Sequence, residues 1–152
     1  MCASRRHRLE SANTLTRGVA DPEAESSETT VLVVDDEPQV GSLAGAYLKR
    51  LETQLTVVVE TDPRDALARF EVGDVDCVVS DYEMPAMDGL ELLEAVRESD
   101  STAPFVLFTA CDDETLARRA RNRDAAYLQK NGSAGGFDRL SEHVADTLAD
   151  TG

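Results

Sequence analysis

Val31-Leu32-Val33-Val34-Asp35-Asp36-Glu37-Pro38 is the stretch that decides the fold. Four apolar residues in a row, three of them β-branched, show no polar alternation. A run of this kind reads as a strand covered on both faces. Three acidic residues follow at once, and Pro38 suits the first turn of a helix. Behind it Val40, Leu43, Ala44, Tyr47, Leu48 and Leu51 recur at helical spacing and make one apolar face. Together these residues form a βα unit with an acidic strand end.

The unit repeats down the chain. Residues 55–59 read as a second strand. Asp62-Pro63 then caps and opens a second helix, with Ala66, Leu67 and Phe70 inward and Gly73 at its end. Residues 75–80 read as a third strand, and Asp88-Gly89 precedes a helix bearing Leu90, Leu93 and Val96. Residues 105–108 give the fourth strand, and Asp112 or Asp113 can cap a short Arg-rich helix at 115–121. Residues 125–128 give the fifth strand and 132–136 a flexible turn. Phe137, Leu140, Val144 and Leu148 form the stripe of a closing helix. Five βα units predict an α/β fold with helices on both faces of a parallel sheet. Right-handed crossovers favour a flavodoxin-like (βα)5, doubly wound, in strand order 2-1-3-4-5, with its site at the strand carboxyl ends.

Length and charge bound the rest. The chain has 152 residues and a formal charge of −15, enough for one domain with a tail. Residues 1–28 lack any apolar period and read as a disordered N-terminal tail; residues 29–150 form the domain. Arg5, Arg6, Arg8 and Arg17 stand against Glu10 alone in the first 18 residues, whereas the remainder is strongly acidic. Such a surface repels nucleic acid and anionic membranes, so neither is an expected partner. Lys49 and Lys130 are the only lysines. Many carboxylates with scarce lysine suit solubility in high salt, where a Debye length of about 3 Å at 1 M screens self-repulsion. Cys2, Cys77 and Cys111 share no metal spacing and read as reduced thiols of a cytoplasmic protein. No apolar stretch is long enough to span a membrane.

Four strands end in, or just before, a polar group. The first ends in Asp35-Asp36-Glu37, the third in Asp81, the fourth in Thr109, and the fifth shortly precedes Lys130. All fall on one edge of the expected sheet. Each alone could be a cap or a surface charge; Asp35 and Asp36 could merely cap the first helix. Three crowded carboxylates raise one another's pKa unless a cation neutralises them. An oxygen-only set with room for water suits Mg²⁺ better than Zn²⁺. Lys130 would add a mobile positive charge, Thr109 a hydroxyl donor, and Ala110 space beside it. Charge neutralisation and positioning are what phosphoryl transfer asks of a protein.

These blocks carry a resemblance. Val33-Val34-Asp35-Asp36-Glu37-Pro38, Ser80-Asp81-Tyr82-Glu83-Met84-Pro85, Met87-Asp88-Gly89, Phe108-Thr109-Ala110 and Tyr127-Leu128-Gln129-Lys130 resemble the receiver domain of two-component response regulators, over residues 30–149. Their wording is also similar to receivers of halophilic archaea. The resemblance implies that Asp81 is the phosphoacceptor, taking phosphate from a phosphohistidine. It implies Mg²⁺ bound by Asp36, Asp81 and the Glu83 carbonyl, with Asp35 acting through water. Thr109, Ala110 and Lys130 would hold the phosphoryl group. Thr109 and Tyr127 would be the switch pair that remodels the face of the fourth helix, fifth strand and fifth helix. The implied partners are a sensor histidine kinase or phosphotransfer protein and a downstream protein, with a homodimer through the switch face as one arrangement. One departure is Asn131, where receivers usually carry Pro after the lysine.

The expected function is that of a stand-alone receiver in a phosphorelay, not an enzyme. Two other readings stay open at this point. An aspartyl-nucleophile phosphatase would need an acid/base Asp where Glu83 stands, and a substrate-capping insertion. A receiver that signals without phosphate would not need the acidic pair, Thr109 and Lys130 together. Arg118, Arg119, Arg121 and Arg123 form a basic cluster that reads as a solvated helix face or a docking surface for an acidic partner.

Overall fold

The computed structural model of the chain describes residues 29–51, 55–130 and 134–151. The expected tail and Asn131 lie outside these residues. Among the described residues five strands and five helices alternate: β1 Thr29–Val34, α1 Pro38–Leu48, β2 Leu55–Glu60, α2 Pro63–Val72, β3 Cys77–Ser80, α3 Gly89–Ser99, β4 Phe105–Thr109, α4 Glu114–Asn122, β5 Ala126–Gln129 and α5 Ala134–Thr151. All strand pairs are parallel, in the order β2-β1-β3-β4-β5. This is the expected doubly wound sheet.

The continuous apolar run of β1 is explained by its two covered faces. Val31 and Val33 pack with Cys77, Val79, Val106 and Phe108 against Ala44 and Leu48 of α1 and Phe137, Leu140 and Val144 of α5. Leu32 and Val34 point the other way, with Val78 and Leu107, into Ala66 and Phe70 of α2, Leu90, Leu93 and Val96 of α3 and Leu116 and Ala120 of α4. Successive strand residues alternate faces, so a strand buried twice has no polar position to offer. Each fully buried Val or Leu contributes about 1.5–3 kcal/mol relative to exposure.

Local signals end the elements where the sequence suggested. Asp62 caps α2 by accepting from the Arg64 N–H at 2.9 Å. Gly73 closes that helix at φ 100°, a left-handed conformation that suits glycine. Asp113, not Asp112, caps α4, accepting from the Thr115 and Leu116 N–H groups. Asp88 and Glu91 close a reciprocal capping box at the start of α3.

Four local expectations are corrected. Leu43 is 45 % exposed instead of lying on the inward face of α1. Gly41, Ala44, Gly45 and Leu48 form that face, and small residues there let the helix approach β2. Gly135 and Gly136 belong to α5 rather than to a turn. Burial of Phe137 and Leu140 just beyond them outweighs a propensity cost of about 1 kcal/mol per glycine. β3 starts at Cys77, because Asp76 uses its side chain on the Thr30 N–H, 2.9 Å, while its own N–H bonds the Thr30 carbonyl at 2.8 Å. β5 begins one residue later than expected, after the turn at Asp124, φ 59°.

Candidate functional site

The carboxyl ends of β1, β3, β4 and β5 meet at one edge of the sheet. Asp35 follows β1, and its N–H donates to the Glu60 carbonyl of β2 at 3.1 Å. Asp81 follows β3, and its N–H donates to the Val34 carbonyl at 2.9 Å. The Lys130 N–H extends the last ladder to the Thr109 carbonyl at 2.8 Å. Sheet hydrogen bonds therefore set the backbones of the polar residues before any side chain takes part.

The side chains converge. Lys130 Nζ lies 2.8 Å from Asp35 Oδ2 and 3.6 Å from Asp81 Oδ2. Asp35, Asp36 and Asp81 each offer an oxygen within 4.8 Å of the others. Asp35 is 3 % exposed and already committed: Oδ1 accepts the Glu37 N–H at 2.9 Å and Oδ2 accepts Lys130. That commitment leaves Asp36 and Asp81 as the more available carboxylates. Glu37, which has no side-chain cap bond, is the N-cap of α1, so Asp35 touches the helix start only through that N–H. Lys130 Nζ also stands over the Phe108 ring, 5.8 Å from its centroid, a cation–π contact beneath the site.

Burial raises the Asp81 carboxyl above its ordinary range, and the Asp35 charge pushes the same way. Lys130, the Tyr82 N–H at 2.7 Å and the Thr109 hydroxyl oppose that rise without cancelling it. Three carboxylates against one ammonium leave the pocket short of positive charge. Oxygen ligands alone line the cluster, which is the chemistry of a hard divalent cation such as Mg²⁺. Such a cation would offset both the burial and the Asp35 charge that raise Asp81.

A second set of contacts joins this pocket to α4. Thr109 is buried, and its Oγ1 accepts the Cys111 N–H at 3.2 Å. The Tyr127 hydroxyl donates to the Cys111 carbonyl and accepts from the Asp113 N–H at 3.4 Å. One loop residue is thus held from both sides, by Thr109 at its N–H and by Tyr127 at its carbonyl. Ala110 is exposed beside Thr109, and the Glu83 side chain is exposed on the loop after Asp81. Burial and the surrounding carboxylates keep the Cys111 thiol above its ordinary pKa, so it is a poor nucleophile.

The structure therefore brings Asp35, Asp36, Asp81, Thr109 and Lys130 together and links Tyr127 to them through the Cys111 backbone. Two contributors, Ser80 and Gly89, stand in the quoted sequence blocks without a site role. Ser80 is fully buried and donates from Oγ to the Asp81 carbonyl at 2.8 Å. Gly89 lies so close to that carbonyl that a Cβ there would stand 2.3 Å from it. The sequence signals for Ser80 are a hydroxyl in an otherwise apolar strand and its place just before Asp81 in the quoted block.

A parallel five-stranded sheet with an acidic pocket and a lysine at the carboxyl edge defines a class: doubly wound α/β domains whose site sits beyond the strand ends. The particular family follows from comparison. Residues 31–140 match the response regulator receiver domain, and the chain belongs to that family. The transcriptional regulatory protein TrcR of Mycobacterium tuberculosis is 39 % identical over 89 residues, covering 59 % of this chain and 34 % of TrcR. The bacterioopsin transcriptional activator of Halobacterium salinarum is 35 % identical over 98 residues, covering 60 % of this chain and 14 % of that protein. The chain thus spans about a third or less of the length of these curated relatives. Among solved structures, the receiver domain of the Francisella response regulator 1452 superposes with a TM-score of 0.72 at 24 % identity, covering 82 % of this chain and 99 % of that one. At that identity the likeness speaks for the fold. Receivers are signalling domains of two-component systems, and no helix among the described residues is long and apolar enough to cross a membrane.

Proposed function

We propose that Asp81 accepts a phosphoryl group from the phosphohistidine of a sensor kinase or phosphotransfer protein, in the cytoplasm, and that the modified domain binds a downstream protein. The observation that carries this reading is the meeting of Asp81 with Asp35, Asp36 and Lys130 at the carboxyl edge of the sheet. A carboxylate oxygen of Asp81 forms a bond to phosphorus as the P–N bond to the donor histidine breaks. The imidazole leaves with the electron pair. Lys130, already between two carboxylates, supports the added negative charge.

Asp36 and Asp81 would hold Mg²⁺ directly with the Glu83 carbonyl, and Asp35, its oxygens engaged, would act through water. When bound, Mg²⁺ neutralises charge on the pocket and on the phosphoryl oxygens. Thr109 gives its hydroxyl to a phosphoryl oxygen, and exposed Ala110 leaves room for it. Once Thr109 turns to phosphate, the Cys111 N–H loses its partner. The loop that also holds the Tyr127 hydroxyl is then free to rearrange. A two-state equilibrium of α4, β5 and α5 would be biased in this way.

Incubation with acetyl phosphate and Mg²⁺, followed by intact-mass measurement, tests the reading. The wild-type chain is expected to gain one phosphoryl group and Asp81→Asn none. No gain in the wild type, or an equal gain in the variant, overturns it.

A further inference from the structure

We propose that Ser80 is a positioning residue for the phosphoacceptor, fixing the Asp81–Tyr82 peptide so that one carboxylate oxygen is held and the other is presented. This rests on Asp81 being the residue that takes the phosphoryl group.

Ser80 is the last residue of β3. Ser80 pairs in register with Val34 on one side and Leu107 on the other, both apolar and buried. A hydroxyl in such surroundings must find a partner or be costly. Its partner is the Asp81 carbonyl at 2.8 Å. That carbonyl belongs to the same peptide plane as the Tyr82 N–H, which donates to Asp81 Oδ1 at 2.7 Å. The plane is therefore pinned at both ends, by Ser80 Oγ on its oxygen and by the Asp81 carboxylate on its nitrogen.

Gly89 completes the clamp from the other direction. A Cβ at that position would meet Asp81 O at 2.3 Å and the Tyr82 Cα at 2.9 Å, so the first turn of α3 rests against this peptide. The Gly89 N–H donates to the Tyr82 carbonyl at 2.9 Å, fixing the next peptide as well. With Oδ1 occupied by a backbone donor, Oδ2 is the oxygen that faces Lys130, at 3.6 Å. Rotation of the Asp81–Tyr82 plane would turn the N–H away from Oδ1 and let the carboxylate spin about its terminal torsion. Correct orientation of a reacting group is a large part of a catalysed rate. A hydroxyl that only satisfied itself would leave that orientation unchanged when removed.

The test uses the full chain at saturating Mg²⁺, with acetyl phosphate as donor and intact mass as readout. Ser80→Ala is expected to lower the maximal phosphorylation rate about fivefold, the worth of one net hydrogen bond. The donor concentration for half-maximal rate should not change, because Ser80 is fully buried and out of reach of the donor. Ser80→Cys, close in volume with a weaker donor, should fall between the two. A fall in melting temperature with an unaltered rate, or Cys and Ala variants equal to wild type, overturns the proposal. If Ser80→Ala does not fold, the intermediate rate of Ser80→Cys carries the test, and a wild-type rate sinks it. A wild-type chain that gains no phosphoryl group would instead bring down the Asp81 reading beneath it.

Discussion

The two ends of the sheet each hold a partly buried cation, and they use it in opposite ways. At the amino end Arg97 of α3 gives its guanidinium to neutral carbonyls: Arg123 at 2.8 Å, Ala103 at 2.7 Å and Asp124 at 3.1 Å. These are the loops that lead into β4 and β5, and a fork of donors ties them together. At the carboxyl end Lys130 faces two carboxylates instead. Carbonyls satisfy Arg97 and leave it nothing further to do. Carboxylates outnumber Lys130, so that end retains negative charge and room for another cation. The same fold thus sets one cation among carbonyls and the other among carboxylates.

Replacing each cation should separate these roles. Lys130→Met is expected to cost about 3 kcal/mol of stability, because it leaves Asp35 buried without its counter-charge. Saturating Mg²⁺ should recover much of that loss, which denaturant unfolding with and without the ion would measure. Arg97→Met is expected to cost about 2 kcal/mol through unpaired carbonyls, and Mg²⁺ should not change that value. Recovery of the Arg97 variant by Mg²⁺ would break the contrast.

Asp81 carries a pH signature. Its folded pKa is raised from 3.8, chiefly by burial, so the folded state holds the proton more tightly than the unfolded chain. Stability from this group is therefore present below 3.8 and lost as pH rises through the raised value. Without divalent cation, Asp81→Asn should be more stable than wild type at neutral pH. The gain should vanish in acid below the unfolded pKa, as read by thermal unfolding across pH. Smaller still, Ala86 sits at φ 73° in the loop after Asp81. Ala86→Gly should add about 1 kcal/mol by removing that left-handed strain. The least effect is expected for Tyr127→Phe, a loss of about 0.5–1 kcal/mol. Faster amide exchange at Asp113 should accompany it, because the Tyr127 hydroxyl accepts that N–H.

How much was legible follows the range of the interactions. The run at Val31–Val34, Pro38, the Asp62 cap and the Asp88–Gly89 start all act within a few residues, and the structure agrees with each. That Asp35, Asp36, Asp81, Thr109 and Lys130 meet at one edge was legible because a parallel sheet must gather strand ends there. Leu43 and the α5 glycines were misread because local spacing and propensity ignore the neighbour a helix packs against. Arg97 gave no signal, since its partners are main-chain carbonyls up to 27 positions away. Nothing in the sequence says that Thr109 and Tyr127 bond the N–H and the carbonyl of the same residue, Cys111.

By itself the sequence determined the alternation of strands and helices, the order of the sheet and the identity of the acidic and basic groups at its edge. Periodicity and chain direction are local properties, and they fix these things. Only the tertiary structure decided which oxygen of each carboxylate is already spoken for. It also decided that Ser80 and Gly89 lie against the peptide behind Asp81, and that Lys130 faces carboxylates while Arg97 faces carbonyls. The contacts of the two cations span distances of 2.8 to 3.6 Å between residues far apart in the chain, and such distances exist only once the sheet has formed.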